Sequence, residues 1–422
     1  MPTRVTALVL AITCAFQAGC AGGPPRAAEF QGALGKVAVV AAAGEPEISF
    51  EGFARGKAEG AARVATATFA TCLQPLGHGC SGGGAICGVA VLVVLGICTT
   101  ATAVGGVVGA ATAPGADAVA SAETTLLGAL DRRSVQESLR EQVDAALLAA
   151  GSSVAREGAD TVLETTLTRV GTRRPGVFEP GRGGVGIDPP LLLYMEARAR
   201  LVRISDSTTL STTQYVYLGP RLRLADWSAL GGTPLLSAME TGYELLASHI
   251  YDGVFRLYRF PDQETQWSAY LLPVYGLAPV SPTTRGSLTN DPVIGPILSW
   301  TAVPSLQPTL EWEAFPRKAD LAVAPGEMTR VKDVRYELII ARERNLAPAE
   351  VVYRRSNLPG PAHAVETALE PDTRYFWTVR ASFALDGRQR VTRWGATDFT
   401  AREEHTAPSH HSYRFRTPRA ER

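Results

Sequence analysis

Residues Gly79-Cys80-Ser81-Gly82-Gly83 match G-x-S-x-G. That pattern lifts a serine hydroxyl onto a sharp turn for nucleophilic attack when a buried strand precedes it and a helix follows. Gln74-Pro75-Leu76-Gly77-His78 is not such a strand, so Ser81 reads as a chance match in glycine-rich sequence. Gly77, Gly79 and Gly82, and again Gly181, Gly183 and Gly186, fit the G-x-G-x-x-G spacing that brings backbone close to a pyrophosphate. Neither group sits at a strand-to-helix turn with the acidic residue that chemistry requires, so both read as loops. Gly52 to Lys57 is one residue short of a phosphate loop, and Ala58 stands where Ser or Thr would be needed. No cofactor is expected. The histidines, His78, His249, His363, His405, His410 and His411, include no H-E-x-x-H; His410 and His411 lie in polar sequence, and His249 reads as an edge residue of a buried helix. Neither a metal centre, a carboxylate pair nor a catalytic triad emerges, and the chain is not expected to be an enzyme.

The cysteines carry other chemistry. Arg4 supplies a positive start, Val5 to Phe16 is apolar, and Gln17-Ala18-Gly19-Cys20 closes the segment, so residues 1–20 read as a signal peptide outside fold reasoning. The apolar run is shorter than the ~20 residues of a membrane-spanning helix. The Ala18-Gly19-Cys20 ending resembles the lipobox of bacterial lipoproteins and departs from it at Gln17, where that family prefers Leu. The resemblance implies that the Cys20 thiol is diacylated, with chains such as palmitate, and that Cys20 becomes the new N-terminus. Ala21 stands where an Asp would imply inner-membrane retention, so the family pattern implies the outer membrane. Cleavage without lipidation, giving a soluble periplasmic protein, is the alternative. Cys72, Cys80, Cys87 and Cys98 remain beyond the anchor. An even number of cysteines in an oxidising compartment points to one or two disulfides. Zinc competes poorly, because there is no C-x-x-C and only His78 is near.

Those four cysteines lie in a stretch from Val64 to Ala116 without Asp, Glu, Lys or Arg. Gly84 with Gly88, and Gly105 with Gly109, are spaced four apart, and Gly52, Gly56 and Gly60 repeat the spacing upstream. On helices this glycine-zipper spacing lets backbones approach closely. A glycine-rich helical hairpin over residues 52–116 is therefore expected, either entering the bilayer or packing on the protein or on another copy.

The elements around the hairpin read as α+β. After a tether at 21–35, Lys36 to Val40 reads as a strand. Ser134 and Glu137 form a capping box for a helix carrying Val135, Leu139, Val143 and Leu147 at helical spacing. Strands follow on Leu163, Thr165 and Leu167, on the alternating run Met195 to Leu201, and on Gln214 to Leu218. Thr233-Pro234 opens a last helix bearing Leu235, Met239, Tyr243, Leu246, Ile250 and Val254. Two helices covering one face of a mostly antiparallel sheet are expected over residues 36–256. This order, with Glu196-Ala-Arg-Ala-Arg-Leu-Val, Trp227 and the closing Ile250-Tyr-Asp-Gly-Val-Phe255, resembles α+β domains of transport-auxiliary and assembly lipoproteins. Those are non-catalytic partners of envelope machines.

Residues 257–295, rich in Pro, Ser and Thr and bearing Trp267, Tyr270 and Tyr275, read as a linker. Beyond it Leu310/Trp312/Ala314, Tyr336/Leu338/Ile340 and Tyr375/Trp377/Val379/Ala381 alternate as strands, and Tyr413 with Phe415 closes the series. Leu369-Glu-Pro371-Asp-Thr373-Arg-Tyr375 resembles the corner of fibronectin type III domains, in which the tyrosine hydroxyl bonds to nearby backbone. The resemblance implies an immunoglobulin/fibronectin-like β-sandwich over 296–418, a spacing or adhesion module. The intervals between Trp312 and Tyr336 and from Gly387 to His411 depart from that family.

Lys+Arg and Asp+Glu each number 41, which removes bulk charge as a reason to expect nucleic acid. The expected function is that of a lipid-anchored cell-envelope protein, a structural, assembly or protein-binding module. Its expected partners are the membrane, through Cys20 and residues 52–116, an envelope protein, and a second copy of itself. Tyr353, Arg354, Arg355, Arg393 and Trp394 are of the types favoured at binding hot spots. Competing readings are a membrane-inserting or pore-forming oligomer built on the hairpin, and a serine hydrolase using Ser81.

Overall fold

The computed structural model describes residues 34–66, 68, 98–104, 107–108, 110–111, 113–131, 135–150, 155, 157–174, 188–258, 274–282, 300–342, 350–397 and 413–420. Cys20, Cys72, Cys80, Ser81, Cys87, Gly84, Gly88, Gly105 and Gly109 lie outside them. The architecture is mixed α and β with several sheets; the described residues form two large hydrophobic cores and a small third cluster of Ile339, Ala341 and Trp394. One large core draws on residues from Leu34 to Val254 and the other on residues from Tyr258 to Phe415.

The first core lies under a five-stranded sheet. β1 (Val37–Ala41) and β2 (Glu47–Phe50) both run parallel to β3 (Thr161–Arg173). β3, β4 (Leu191–Arg203) and β5 (Thr209–Leu222) form an antiparallel meander. Alternation decides the faces: Met195, Ala197, Ala199 and Leu201 are buried, whereas Arg198 and Arg200 are exposed. The register of β3 slips between Leu167 and Arg169. On the opposite edge of β3, Gln136 fills the gap between β1 and β2, its Nε2 donating to Leu167 O at 2.9 Å and its Oε1 accepting from Leu167 N at 2.8 Å. A buried break in the ladder is thereby satisfied.

The two expected helices cover the inner face, and a third packs on one of them from outside. The third is α1 (Ala116–Asp131); the expected pair are α2 (Val135–Ala149) and α3 (Leu224–Tyr251), and α1 packs on α3. α2 buries Val135, Leu139, Val143 and Leu147, the stripe its spacing predicts. The extra helix, α1, begins where the uncharged stretch ends, and it buries Val119, Leu126 and Leu130. α3 is two helices joined at a kink: Ala229 to Gly232 leave helical geometry, with Leu230 at φ 51°, and the second part opens at Thr233-Pro234. Trp227 anchors the first part by donating its indole N–H to Leu191 O at 3.1 Å.

The glycine-face expectation needs correction at its N-terminal end. Gly52 (φ +105°) and Gly56 (φ +127°) precede the helical residues 57–66 and occupy left-handed backbone that side chains rarely adopt. These two glycines serve the chain's path out of β2, and no helix face contains them. The insertion also follows β2, not the first strand, because residues 47–50 add a parallel strand that their short, mixed sequence did not announce.

In the second core, β11 (Val351–Leu358), β10 (Lys332–Ala341), β13 (Arg374–Leu385), β16 (Tyr413–Arg416) and β8 (Thr301–Ala302) form one sheet, with β14 (Arg388–Val391) added to β13. A second sheet orders β12 (Ala362–Ala364), β9 (Thr309–Trp312) and β7 (Pro279–Ser281); β6 (Val274–Tyr275) pairs with β15 (Ala396–Thr397). Leu310 and Trp312 of the smaller sheet share the core with Leu338, Trp377 and Phe415 of the larger.

The intervals that departed from the fibronectin pattern hold added structure. Two short helices, α4 (Lys318–Val323) and α5 (Pro325–Met328), occupy the first; β14 and β15 occupy part of the second. Within 257–295, Leu257 bridges to Val391, and β6 and β7 are integrated into the C-terminal sheets. That part of the segment is a piece of the second module and not a free linker.

Candidate functional site

A cluster of charged side chains lies where the two modules meet. α3 ends in a π-turn, Asp252–Arg256, that brings Asp252 against the C-terminal sheet. Glu337 on β10 and Arg380 on β13 are directly opposed across the strand pair. Arg380 donates from Nη1 to Asp252 Oδ2 at 2.6 Å and from Nε to Glu337 Oε2 at 2.9 Å. Arg256 Nη1 reaches the other oxygen of Asp252 at 3.0 Å, and Arg354 Nε reaches Glu337 Oε1 at 2.9 Å. The Arg380 guanidinium also lies 4.5 Å from the centre of the Trp394 ring. Backbone joins the same seam: Tyr258 N donates to Val391 O at 2.9 Å, and Arg390 Nη1 donates to Phe255 O at 3.1 Å.

Asp252 and Glu337 oppose Arg380, Arg354 and Arg256, so the seam already carries one surplus cation. Burial would pull the Arg380 guanidinium down, but Asp252 and Glu337 more than reverse this and hold it above its ordinary value. His249, one turn before Asp252, has its Nδ1 shut off from water. Burial pushes its pKa down to about 4, helped by Arg380 and Arg354 and opposed by Asp252. The imidazole is therefore neutral at pH 7. It is set into the seam between modules and not at a free edge.

These charged groups are paired with one another, as in a structural joint. On the open face of the first sheet, Tyr194 and Glu196 are likewise bonded to each other. Burial raises Tyr194 to about 12, helped by its hydrogen bond to Glu196. Burial works to raise Glu196 as well, but its bonds to Tyr194, Gln214 and Thr168 outweigh this and hold it below the ordinary carboxylate range. Arg173 stacks 4.1 Å from the Tyr194 ring centre. Among the described residues no group of three or more His, Cys, Asp and Glu is placed to hold a metal ion.

The remaining candidates separate. Tyr375 accepts a hydrogen bond from Glu370 N at 3.0 Å, and Leu369 is buried beside it. The corner at Leu369, Pro371 and Tyr375 therefore closes as its sequence implies. Of the hot-spot residues, Tyr353 is buried with its hydroxyl 2.6 Å from His363 Nε2, and Trp394 is buried against Arg380. Arg354 and Arg355 are ion-paired with Glu337 and Glu366. The two aromatic side chains are thus packed within the protein, whereas Arg354 and Arg355 remain exposed on the edge strand β11. Gly60 is buried in the helical residues 57–66, and Cys98 is fully buried. Sequence reasoning missed Asp252, Glu337 and Arg380 as a unit, because nothing local links positions so far apart in the chain.

Among the described residues, no helix is long and apolar enough to cross a membrane. No family model matches the chain, and no curated protein does. Among solved structures it is similar to protein XCC0632 from Xanthomonas campestris, of the family DUF330, at 16% identity over 27% of this chain and 57% of that one, with a TM-score of 0.20. It is also similar to lipoprotein GNA1162 from Neisseria meningitidis, at 18% identity over 23% of this chain and 64% of that one, with a TM-score of 0.12. The chain thus spans less than two thirds of either structure, and at such TM-scores the likeness carries no argument about its fold or its role.

Proposed function

We propose that this chain is a lipid-anchored cell-envelope protein, held in the outer membrane by acyl chains on Cys20 and acting as a structural, assembly or interaction module without catalytic activity. The anchor rests on Ala18-Gly19-Cys20 behind an apolar run. The observation that carries the module reading is the seam at Asp252 and Arg380, where ion pairs and backbone bonds join two separately cored units. A joint of this kind holds a binding surface at a fixed reach from the membrane. The partner is an envelope protein.

The second module is read as fibronectin type III-like. Supporting this are the β12-β9-β7 and β11-β10-β13-β16 sheets sharing one core, the buried Trp312, and the Glu370–Tyr375 bond. The first is read as a domain of the transport-auxiliary lipoprotein kind. Cys72, Cys80, Cys87 and Cys98 are read as forming one or two disulfides, and the full burial of Cys98 supports this.

A second reading, insertion or pore formation by residues 52–116, is favoured by Val104 and Val107, which are 60% and 72% exposed on the uncharged helical stretch. One experiment addresses both. A Cys20→Ala variant that is still exported should be released from membranes by a mild wash. Retention until detergent is added would transfer the membrane contact to residues 52–116. Loss of a measured hydrolytic turnover in Ser81→Ala would overturn the non-catalytic assignment.

A further inference from the structure

Among the described residues β5 is the last strand of its sheet, and it differs from the other sheet edges in a way that points to a partner. On the far side of the same sheet the edge is split into β1 and β2, five and four residues long. The edge of the C-terminal sheet at β11 carries Arg354 and Arg355 in mid-strand, and its other edge, β8, is two residues long. Short, interrupted or charged edges resist pairing with other chains. β5 has none of these protections along most of its length. From Ser211 to Leu218 it runs in unbroken register with β4, between bulges near Leu210 and Gly219. The sequence of that run, Ser-Thr-Thr-Gln-Tyr-Val-Tyr-Leu, holds no charge, no Pro and no Gly, and it is rich in strand-forming residues.

We propose that this edge is an interface at which two copies of the chain join β5 to β5, antiparallel, making one continuous sheet. A second copy is the occupant that fits. A two-fold axis presents the same strand to itself, and an uncharged run meets its own copy without opposing like charges. The faces also constrain the register. Tyr215 and Tyr217 are buried under the helices, whereas Thr212, Gln214 and Val216 are exposed on the open face. Opposed residues must share a face, so the axis passes through a residue and not between two. In the centre of the run that residue is Gln214 or Tyr215. Both helix layers then lie on the same side of the joined sheet, and the open faces form one surface twice as wide. This pairing is independent of Cys20 and of residues 52–116, so it stands or falls separately from the anchor.

The test is sedimentation of the full chain in mild detergent, with empty micelles accounted for, alongside a Thr212→Lys, Val216→Lys double variant. Both positions are exposed, so the lysines add two like charges per copy to the edge without entering the core. The expected result is a two-fold mass for the native chain and at least a tenfold weaker self-association for the variant, with unchanged circular dichroism and melting. A Gln214→Cys variant is expected to cross-link to itself with a short bismaleimide, and the native chain is not. A monomeric native chain at tens of micromolar, or an undiminished dimer in the lysine variant without cross-linking at Gln214, overturns the proposal.

Discussion

The Arg380 guanidinium lies 2.6 Å from the Asp252 carboxylate, and the flanking residues Val254 and Val379 belong to different hydrophobic cores. Asp252 is delivered by the last turn of the first module and Arg380 by the longest strand pairing of the second. Removing one partner of a largely buried ion pair leaves the other short of a counter-charge, at a cost of about 3 kcal/mol. Asp252→Ala and Arg380→Ala should each lower stability by that order in denaturant unfolding. The double variant should lose clearly less than the sum, since the second deletion removes a charge already short of one partner.

His249 predicts a pH dependence with a definite sign. Its folded pKa of about 4 lies below the ordinary value of 6.5. Between these values the unfolded chain binds a proton that the folded chain refuses, so stability falls as pH drops from 6.5 toward 4. The contribution is on the order of 2 kcal/mol after allowance for partial solvent contact. His249→Gln should flatten the difference in melting temperature between pH 7.5 and pH 4.5 relative to the native chain.

Gly242 marks the closest approach of α3 to the sheet: a Cβ there would meet Met195 Sδ at 2.5 Å and Tyr217 Cδ1 at 2.8 Å. Gly242→Val must push the helix off β4 and β5, and a loss of about 3 kcal/mol is expected from overpacking. The size of the loss is read from the shift in unfolding midpoint. Gly128→Ala, on α1 with open space around it, should not destabilise the chain.

Much of the first module was legible because its helices and strands repeat their apolar residues with clear periods. α2 and the second half of α3 bury the stripes their spacing predicts, and Thr233-Pro234 marks a real helix start. β2 was missed because Glu47 to Phe50 offers only four residues, and α1 because its alanine-rich sequence blends into the uncharged stretch. Gly52 and Gly56 misled because a spacing of four is also produced by turns. The seam was illegible for a different reason: Asp252 and Arg380 meet only through tertiary packing, and single-sequence patterns carry no information on such pairs. The corner at Tyr375 was legible because its bond to Glu370 is local.

Tyr375→Phe removes the acceptor of the Glu370 N–H bond while keeping the ring in the core. A loss of about 1 to 2 kcal/mol is expected, together with faster hydrogen exchange at the Glu370 amide. Unchanged exchange there would show that the corner is held by its packing alone.

Intact-mass measurement of the mature protein purified from envelopes tests the anchor at Cys20. The expected mass is that of a chain beginning at Cys20, lacking residues 1–19 and carrying added acyl chains. A mature chain that begins at another residue, or that begins at Cys20 without acyl mass, contradicts it.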